Sequence, residues 1–301
     1  MLSSKGGLDN VTFLPSRVLE STCEVGKPDA IINAMTIDLE DWFCVHNLSQ
    51  VIKKEEWDRY EMRVLGSTRR ILALLKKHEV NATFFVLGWI AERAPELIRE
   101  IESDGHEIAT HGYSHSLLTE MTPEEFEKDL EKALKVTRLC TEQSIIGFRA
   151  PSFSITKETM WAFDILKEYG LLYDSSIFPV RFHPNYGIPD APLHIHSVGS
   201  LIEVPLSSAR FARMRIPCSG GGYFRFFPYP FTKYLMQQCI RESRPVIFYI
   251  HPWEFDTEQP RMHPPWLKRF RHYYNLHKTW ERFDRLLSDF RFTSIRKLLG
   301  L

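Results

Sequence analysis

Seven short apolar runs, most of them separated by helical patterns, constrain this chain more than any other feature. They are "AIINAMTID" (30–38), "NATFFVL" (81–87), "HEIATH" (106–111), "IIGFRA" (145–150), "LLYDSS" (171–176), "LIEVPL" (201–206) and "PVIFYIH" (245–251). Several are nearly continuous in apolar residues, as in parallel strands covered on both faces. Between them, "GSTRRILALLKKH" repeats apolar residues at helical spacing, and "APELIREIESDG" has Pro95 in a first turn and Gly105 just past the end. "TPEEFEKDLEKALKVTRL" opens on Thr122, Pro123 and Glu125, a capping-box arrangement, and "TKETMWAFDILKEYG" stops at Gly170. Strands alternating with helices predict parallel βα units. Seven of them predict an α/β fold with a closed or nearly closed barrel, a doubly wound sheet being the competing arrangement. Residues 177–200 and 207–227 lack periodicity and read as long loops.

Polar residues fall at one end of these runs. Asp38, His111, Arg149, Asp174 and His251 lie at or just past the C-terminal end of a predicted strand. In a parallel barrel those ends share one rim, where active sites are built. In "HGYSH", Gly112 and Ser114 are poor helix formers, so His111 and His115 belong to a loop rather than a helix face. Two imidazoles, a carboxylate and a water make an open catalytic zinc site. The carboxylate comes from "TIDLEDWF", where Asp38, Glu40 and Asp41 crowd together. A helix N-terminus explains one or two of these acids; the sharper account gives one to a metal and another to general-base work.

Arg149, in "GFRAPSF", is either a salt-bridge partner or a fixed guanidinium that holds a catalytic carboxylate. His251, in "FYIHPWEF", fits a core histidine or a general acid with Trp253 beside it. "CSGGGYFRFFP" (218–228) is no phosphate-binding loop, since no GKS/T follows. It reads as a flexible turn, with a groove-lining loop as the alternative.

Lys+Arg and Asp+Glu both number 38, so no global charge draws the chain to nucleic acid. The charge is uneven: from Arg261 onward there are ten Lys/Arg against three Asp/Glu. The five cysteines form no CxxC pair, and the first thirty residues contain no signal-peptide-like apolar core. The expectation is a cytoplasmic protein with a loosely ordered extension over residues 1–30.

As a set, "TIDLED", "THGYSH", "GFRAPSF", "YDSS" and "FYIHPWE" resemble the NodB-type polysaccharide deacetylases, carbohydrate esterase family 4. The chain is similar in particular to the subgroup associated with exopolysaccharide and exosortase loci, with "RFRHYYNLHKTWERFDRLL" like that subgroup's C-terminal extension. The resemblance implies a distorted (β/α) barrel over residues 31–255 and a basic helical extension over 256–301. It implies one divalent metal, zinc being the expected ion, on His111, His115 and a carboxylate. Asp38 matches the catalytic base, Arg149 the residue that holds it, and His251 the general acid; Asp174, in "YDSS", joins the catalytic set. The family's first motif commonly has adjacent aspartates, whereas Leu39 and Glu40 here separate Asp38 from Asp41. The metal carboxylate is therefore Glu40 or Asp41. A persisting strand would carry Glu40 to the same face as Asp38; family usage favours Asp41.

The implied reaction is N-deacetylation of a sugar in a bacterial polysaccharide or its precursor, with release of acetate. Trp42, Phe153, Tyr223 and Trp253, near the motif ends, favour a sugar substrate. Peripheral contact of the basic tail with the inner membrane or with polysaccharide-assembly machinery is a further expectation. An allantoinase-like C–N hydrolase, a non-catalytic carbohydrate-binding protein and a glycoside hydrolase are the competing readings, and the last would leave both histidines idle.

Overall fold

All seven apolar runs supply strands to one sheet. In spatial order these are Leu201–Glu203, Tyr173–Asp174, Gly147–Phe148, Glu107–Thr110, Thr83–Val86, Asn33–Leu39 and Ile247–Ile250, and every neighbouring pair is parallel. The structure, a computed structural model, describes residues 11, 12, 31–181, 187–212 and 214–301. The sheet curls into a distorted (β/α) barrel. Residues 1–30 lie outside the described residues except Val11–Thr12, which pair antiparallel with His196–Val198.

Strand alternation decides what faces the barrel interior. Phe84 packs in the layer beneath the surrounding helices, while its neighbour Phe85 lies inside with Ala109, Tyr173, Phe178 and Tyr249. Asp38 pairs in register with Phe85 and shares that inner side. The helices begin and end where their local chemistry requires. Thr122 Oγ1 accepts from the Glu125 N–H at 3.3 Å, and Glu125 Oε2 accepts from the Thr122 N–H at 2.8 Å, closing the capping box of helix Pro123–Arg138.

The two segments expected to be long loops are partly ordered. His196–Val198 adds an antiparallel strand to Leu201–Glu203, and Ser208–Phe211 pairs with Met214–Pro217 as a hairpin. The chain around this hairpin meets the free edge of Ile247–Ile250: Ile247 N–H donates to Ser207 Oγ at 2.8 Å, and Tyr249 N–H to the Ser219 carbonyl at 2.6 Å. The glycine cluster is thus no flexible turn. Gly220 has φ +124°, and a Cβ there would stand 1.8 Å from the Tyr249 carbonyl oxygen, so only glycine allows the approach. Gly221–Phe226 then forms a short helix.

The C-terminal segment does more than pack on the barrel. Helix Leu276–Asp289 buries Phe283, Leu286 and Leu287, with Trp280 half-buried against Phe255 and beneath the Arg70 guanidinium. Phe292–Thr293 then joins the sheet beside Asn33 and Ala34.

Candidate active site

The first strand persists through Leu39, which carries Glu40 to the same side as Asp38. Glu40 meets the two histidines there. Its Oε1 lies 3.2 Å from His115 Nε2 and 3.5 Å from His111 Nε2. The loop that brings them is built from its backbone outward. Gly112 (φ +71°) allows the chain to turn beside Asp129, which accepts the N–H groups of Tyr113 and Ser114 at 2.7 and 3.0 Å. His111 Nδ1 donates to the Arg149 carbonyl at 2.8 Å, which leaves Nε2 directed at Glu40. Among the described residues, both Nε2 atoms are buried without a hydrogen-bond partner. One ligand atom from each of Glu40, His111 and His115 falls within 4.8 Å of the others. This N,N,O donor set fits a divalent ion with an open position. Burial would raise the Glu40 carboxyl, but His115, His251 and His111 around it hold it well below the ordinary range.

Asp41 points elsewhere, so the geometry corrects the preference for it. Its carboxylate accepts from the N–H groups of Trp42 (2.8 Å), Arg63 (2.7 Å) and Val64 (3.0 Å), satisfying the first donors of helix Val64–Lys77. Burial pushes it up to about 6 against those three bonds.

Beside the cluster, Arg149 is fully buried and fixed at five points. Its guanidinium donates to Asp38 Oδ1 and Thr36 Oγ1, both at 2.7 Å, and to the Ser175 carbonyl and hydroxyl at 3.0 and 2.9 Å; its Cζ lies 4.1 Å from the centroid of the Phe85 ring. Asp38 Oδ2 faces His251 Nε2 at 3.7 Å. The other ring nitrogen of His251 donates to Glu254 Oε1 at 2.7 Å. Burial pulls the His251 imidazolium down, but Glu40, Glu254 and Asp38 outweigh it and hold the ring at about 9.

Glu254 was not singled out from the sequence, although its place three residues after His251 is capping-box spacing, and it does cap that 3₁₀ turn. Arg225 fixes it in turn, donating to Glu254 Oε2 at 2.5 Å and to the carbonyls of Arg271, His272 and Tyr274 at 2.9, 3.0 and 2.7 Å. Arg225 and Glu254 are both buried. Arg225→Met would leave buried Glu254 with His251 as its remaining partner and take the donor from three carbonyls, and is expected to cost about 3 kcal/mol, read as a fall in denaturant midpoint. A midpoint unchanged from the parent protein would contradict this arrangement.

Phe153, Tyr223 and Trp253 line a cleft of about 650 Å³ together with Asp38, Glu40 and His251. Trp253 is stacked between His251 and His272, with ring centroids 5.3 and 4.4 Å away. Ser152 and Phe153 both have positive φ (51° and 55°), a strained turn at the cleft wall. Two expected residues are not part of it. Trp42 is buried against Phe43 and Tyr60, its indole N–H donating to the Glu61 carbonyl at 3.2 Å. Asp174 follows inward-facing Tyr173 and therefore points to the outer layer, in register with Phe148 and Glu203. There it accepts from the Ser176 hydroxyl and N–H at 2.6 and 2.9 Å. Burial and the Asp174 carboxylate push Glu203 well above the carboxylate range.

A histidine–histidine–carboxylate cluster that could hold a metal ion thus stands beside a held carboxylate and a held imidazole, on the C-terminal rim of a (β/α) barrel where active sites are built. In comparison with known proteins, residues 59–173 match the polysaccharide deacetylase family model, and residues 175–300 match a domain of unknown function (DUF3473). The chain is similar to a peptidoglycan deacetylase of Helicobacter pylori (32% identical over 117 residues, covering 39% of each chain). It is also similar to a chitooligosaccharide deacetylase of Sinorhizobium fredii, 35% identical over 100 residues, which is 33% of this chain and 44% of that protein. The chain thus spans less than half the length of these relatives. A crystal structure of a Mycobacterium smegmatis protein provisionally assigned as a polysaccharide deacetylase shares the fold over 92% of both chains (TM-score 0.55, 21% identity).

Proposed function

We propose that this protein hydrolyses the N-acetyl group of a saccharide, with a divalent metal on Glu40, His111 and His115. The observation that carries the reading is the convergence of two partnerless buried imidazole nitrogens on Glu40, within reach of Asp38 and His251. When bound, the ion supplies Lewis-acid polarisation of the acetamide carbonyl and a more acidic water. Zinc suits the two-nitrogen, one-oxygen donor set.

Asp38 takes the proton of the attacking water. Arg149 fixes its Oδ1 and so leaves Oδ2 turned toward the cleft. His251, protonated at neutral pH and aligned by Glu254, gives its Nε2 proton to the departing amine, which cannot leave as an anion. Phe153 and Tyr223 offer faces for a sugar ring.

Purified protein is expected to release acetate from chitooligosaccharides or peptidoglycan fragments, to stop after chelation and to recover with Zn²⁺. Hydrolysis of a cyclic amide such as allantoin, with no acetate from any N-acetylated saccharide, would replace this reading with the allantoinase-like one. A role in exopolysaccharide assembly rests on the sequence of the tail, and a cytoplasmic location on cysteine usage; the four described cysteines are buried free thiols. Among the described residues no helix is long and apolar enough to cross a membrane. Peripheral contact is proposed instead through exposed Trp266 and Leu267 beside Arg269. Equal binding to anionic and neutral vesicles would exclude its electrostatic part.

A further inference from the structure

The wall of the cleft away from the barrel axis comes from the C-terminal segment. Helix Trp266–Tyr273 packs over the 3₁₀ turn His46–Leu48 and sends Lys268 and Arg271 into the cleft lining. Its charge is one-sided. Apart from Asp38 and Glu40 at the reaction centre, no carboxylate lines the cleft among the described residues. Arg225 is consumed by Glu254 and three carbonyls. Lys268 and Arg271 have no such duty: among the described residues neither side chain has an ion-pair or hydrogen-bond partner.

Next to these cations stands an aromatic ledge. Phe226, Phe270 and Tyr274 are 56%, 42% and 36% exposed, and their rings are contiguous, with centroids 6.0 Å apart for Phe226–Tyr274 and 4.7 Å for Phe270–Tyr274. Aromatic faces suit the apolar faces of pyranose rings. A neutral glycan seated on this ledge would strip water from two cations and return no counter-charge, which is unfavourable. A glycan bearing a carboxylate or phosphate would supply it, and the Arg271 guanidinium can bind either group through paired N–H donors.

We propose that the saccharide bound in this cleft is anionic, with a carboxylate or phosphate near the acetylated unit engaged by Lys268 and Arg271 while its rings rest on the Phe226–Phe270–Tyr274 ledge. The inference rests on the deacetylase reading for what happens at Glu40 and Asp38, but not for the binding preference itself.

The test is direct binding by titration calorimetry with two matched pairs of probes. One pair is the alternating glucuronate–N-acetylglucosamine tetrasaccharide of hyaluronan against chitotetraose; the other is N-acetylglucosamine 1-phosphate against N-acetylglucosamine. At least one anionic probe is expected to bind about ten-fold more tightly than its neutral match, with a preference that weakens as salt rises. Preference in the first pair assigns a uronate, and in the second a phosphate. The Lys268→Gln/Arg271→Gln variant should lose the preference while binding the neutral probes as before; the Arg271 carbonyl that holds Arg225 is untouched. Equal affinities within both pairs, or a preference that survives the double substitution, would overturn the proposal. Acetate release is measured on the same saccharides. Charge-selective binding without acetate would reject the deacetylase reading alone, whereas acetate release without charge selection would reject this inference alone.

Discussion

Glu40→Gln is expected to lose divalent-metal binding by at least about 100-fold, beyond the 10–100-fold typical of losing an outer partner of a ligand, and acetate release should fall with it. Asp41→Asn should keep the metal. The two acids are adjacent in sequence but do different work. Glu40 Oε1 is the carboxylate oxygen within 3.2–3.5 Å of both partnerless imidazole nitrogens. Asp41 has its oxygens committed to three backbone N–H groups at the start of helix Val64–Lys77. Gln keeps the size of Glu40 but replaces one anionic oxygen with an amide, which is a much poorer ligand beside two neutral imidazoles. Elemental analysis of dialysed protein, with a melting curve to show that each variant is folded, separates the roles. Full metal content in Glu40→Gln and loss in folded Asp41→Asn would reverse the assignment.

The second large effect is a split between substrates. His251→Ala should lose about 10²–10⁴-fold in activity on an N-acetyl sugar, yet retain much of its activity on an activated aryl acetate, at unchanged metal content. An amine must be protonated as it departs, whereas a phenolate leaves on its own. Glu40, Glu254 and Asp38 raise the His251 ring above its ordinary value, to about 9, and Glu254 fixes the ring through Nδ1 so that Nε2 faces the cleft. Removing the ring leaves the Arg225–Glu254 pair intact, so folding should survive. Parallel loss on both substrates in a folded, metal-replete variant would mean that His251 mainly supports Trp253, on which it stacks.

The strands and most of the rim were legible in the sequence because both are local signals: an apolar run, and a polar residue where it stops. That signal does not carry facing. Asp38 and Asp174 both end strands, but Asp38 pairs with inward Phe85 and Asp174 with outward Phe148, and register comes only from the assembled sheet. Trp42 lies next to the acids in sequence and turns away into the core, because the chain leaves the strand immediately after Leu39. Glu254 left a faint spacing signal. Its partner Arg225 lies 29 residues earlier in a helix that looked like a glycine-rich turn, and no periodicity links them. Likewise Lys268 and Arg271 read as part of a solvated basic tail until the helix carrying them was seen to wall the cleft.

The two stretches matched in known proteins meet at residue 174, and that seam runs through the barrel wall. Tyr173–Asp174 is bonded to Gly147–Phe148 on one side and Leu201–Glu203 on the other. Severing the chain there would part Arg149 from Ser175, which it grips twice, and His111 and His115 from His251. The units by which the sequence is recognised are therefore not units that can be exchanged. Grafting the second stretch onto a related protein would transplant two of the seven parallel strands, the proposed proton donor His251 and the cleft wall that carries Lys268 and Arg271 in one piece. Conversely, two fragments divided at the seam would make a complementation pair, each carrying part of the chemistry and silent until its partner closes the sheet.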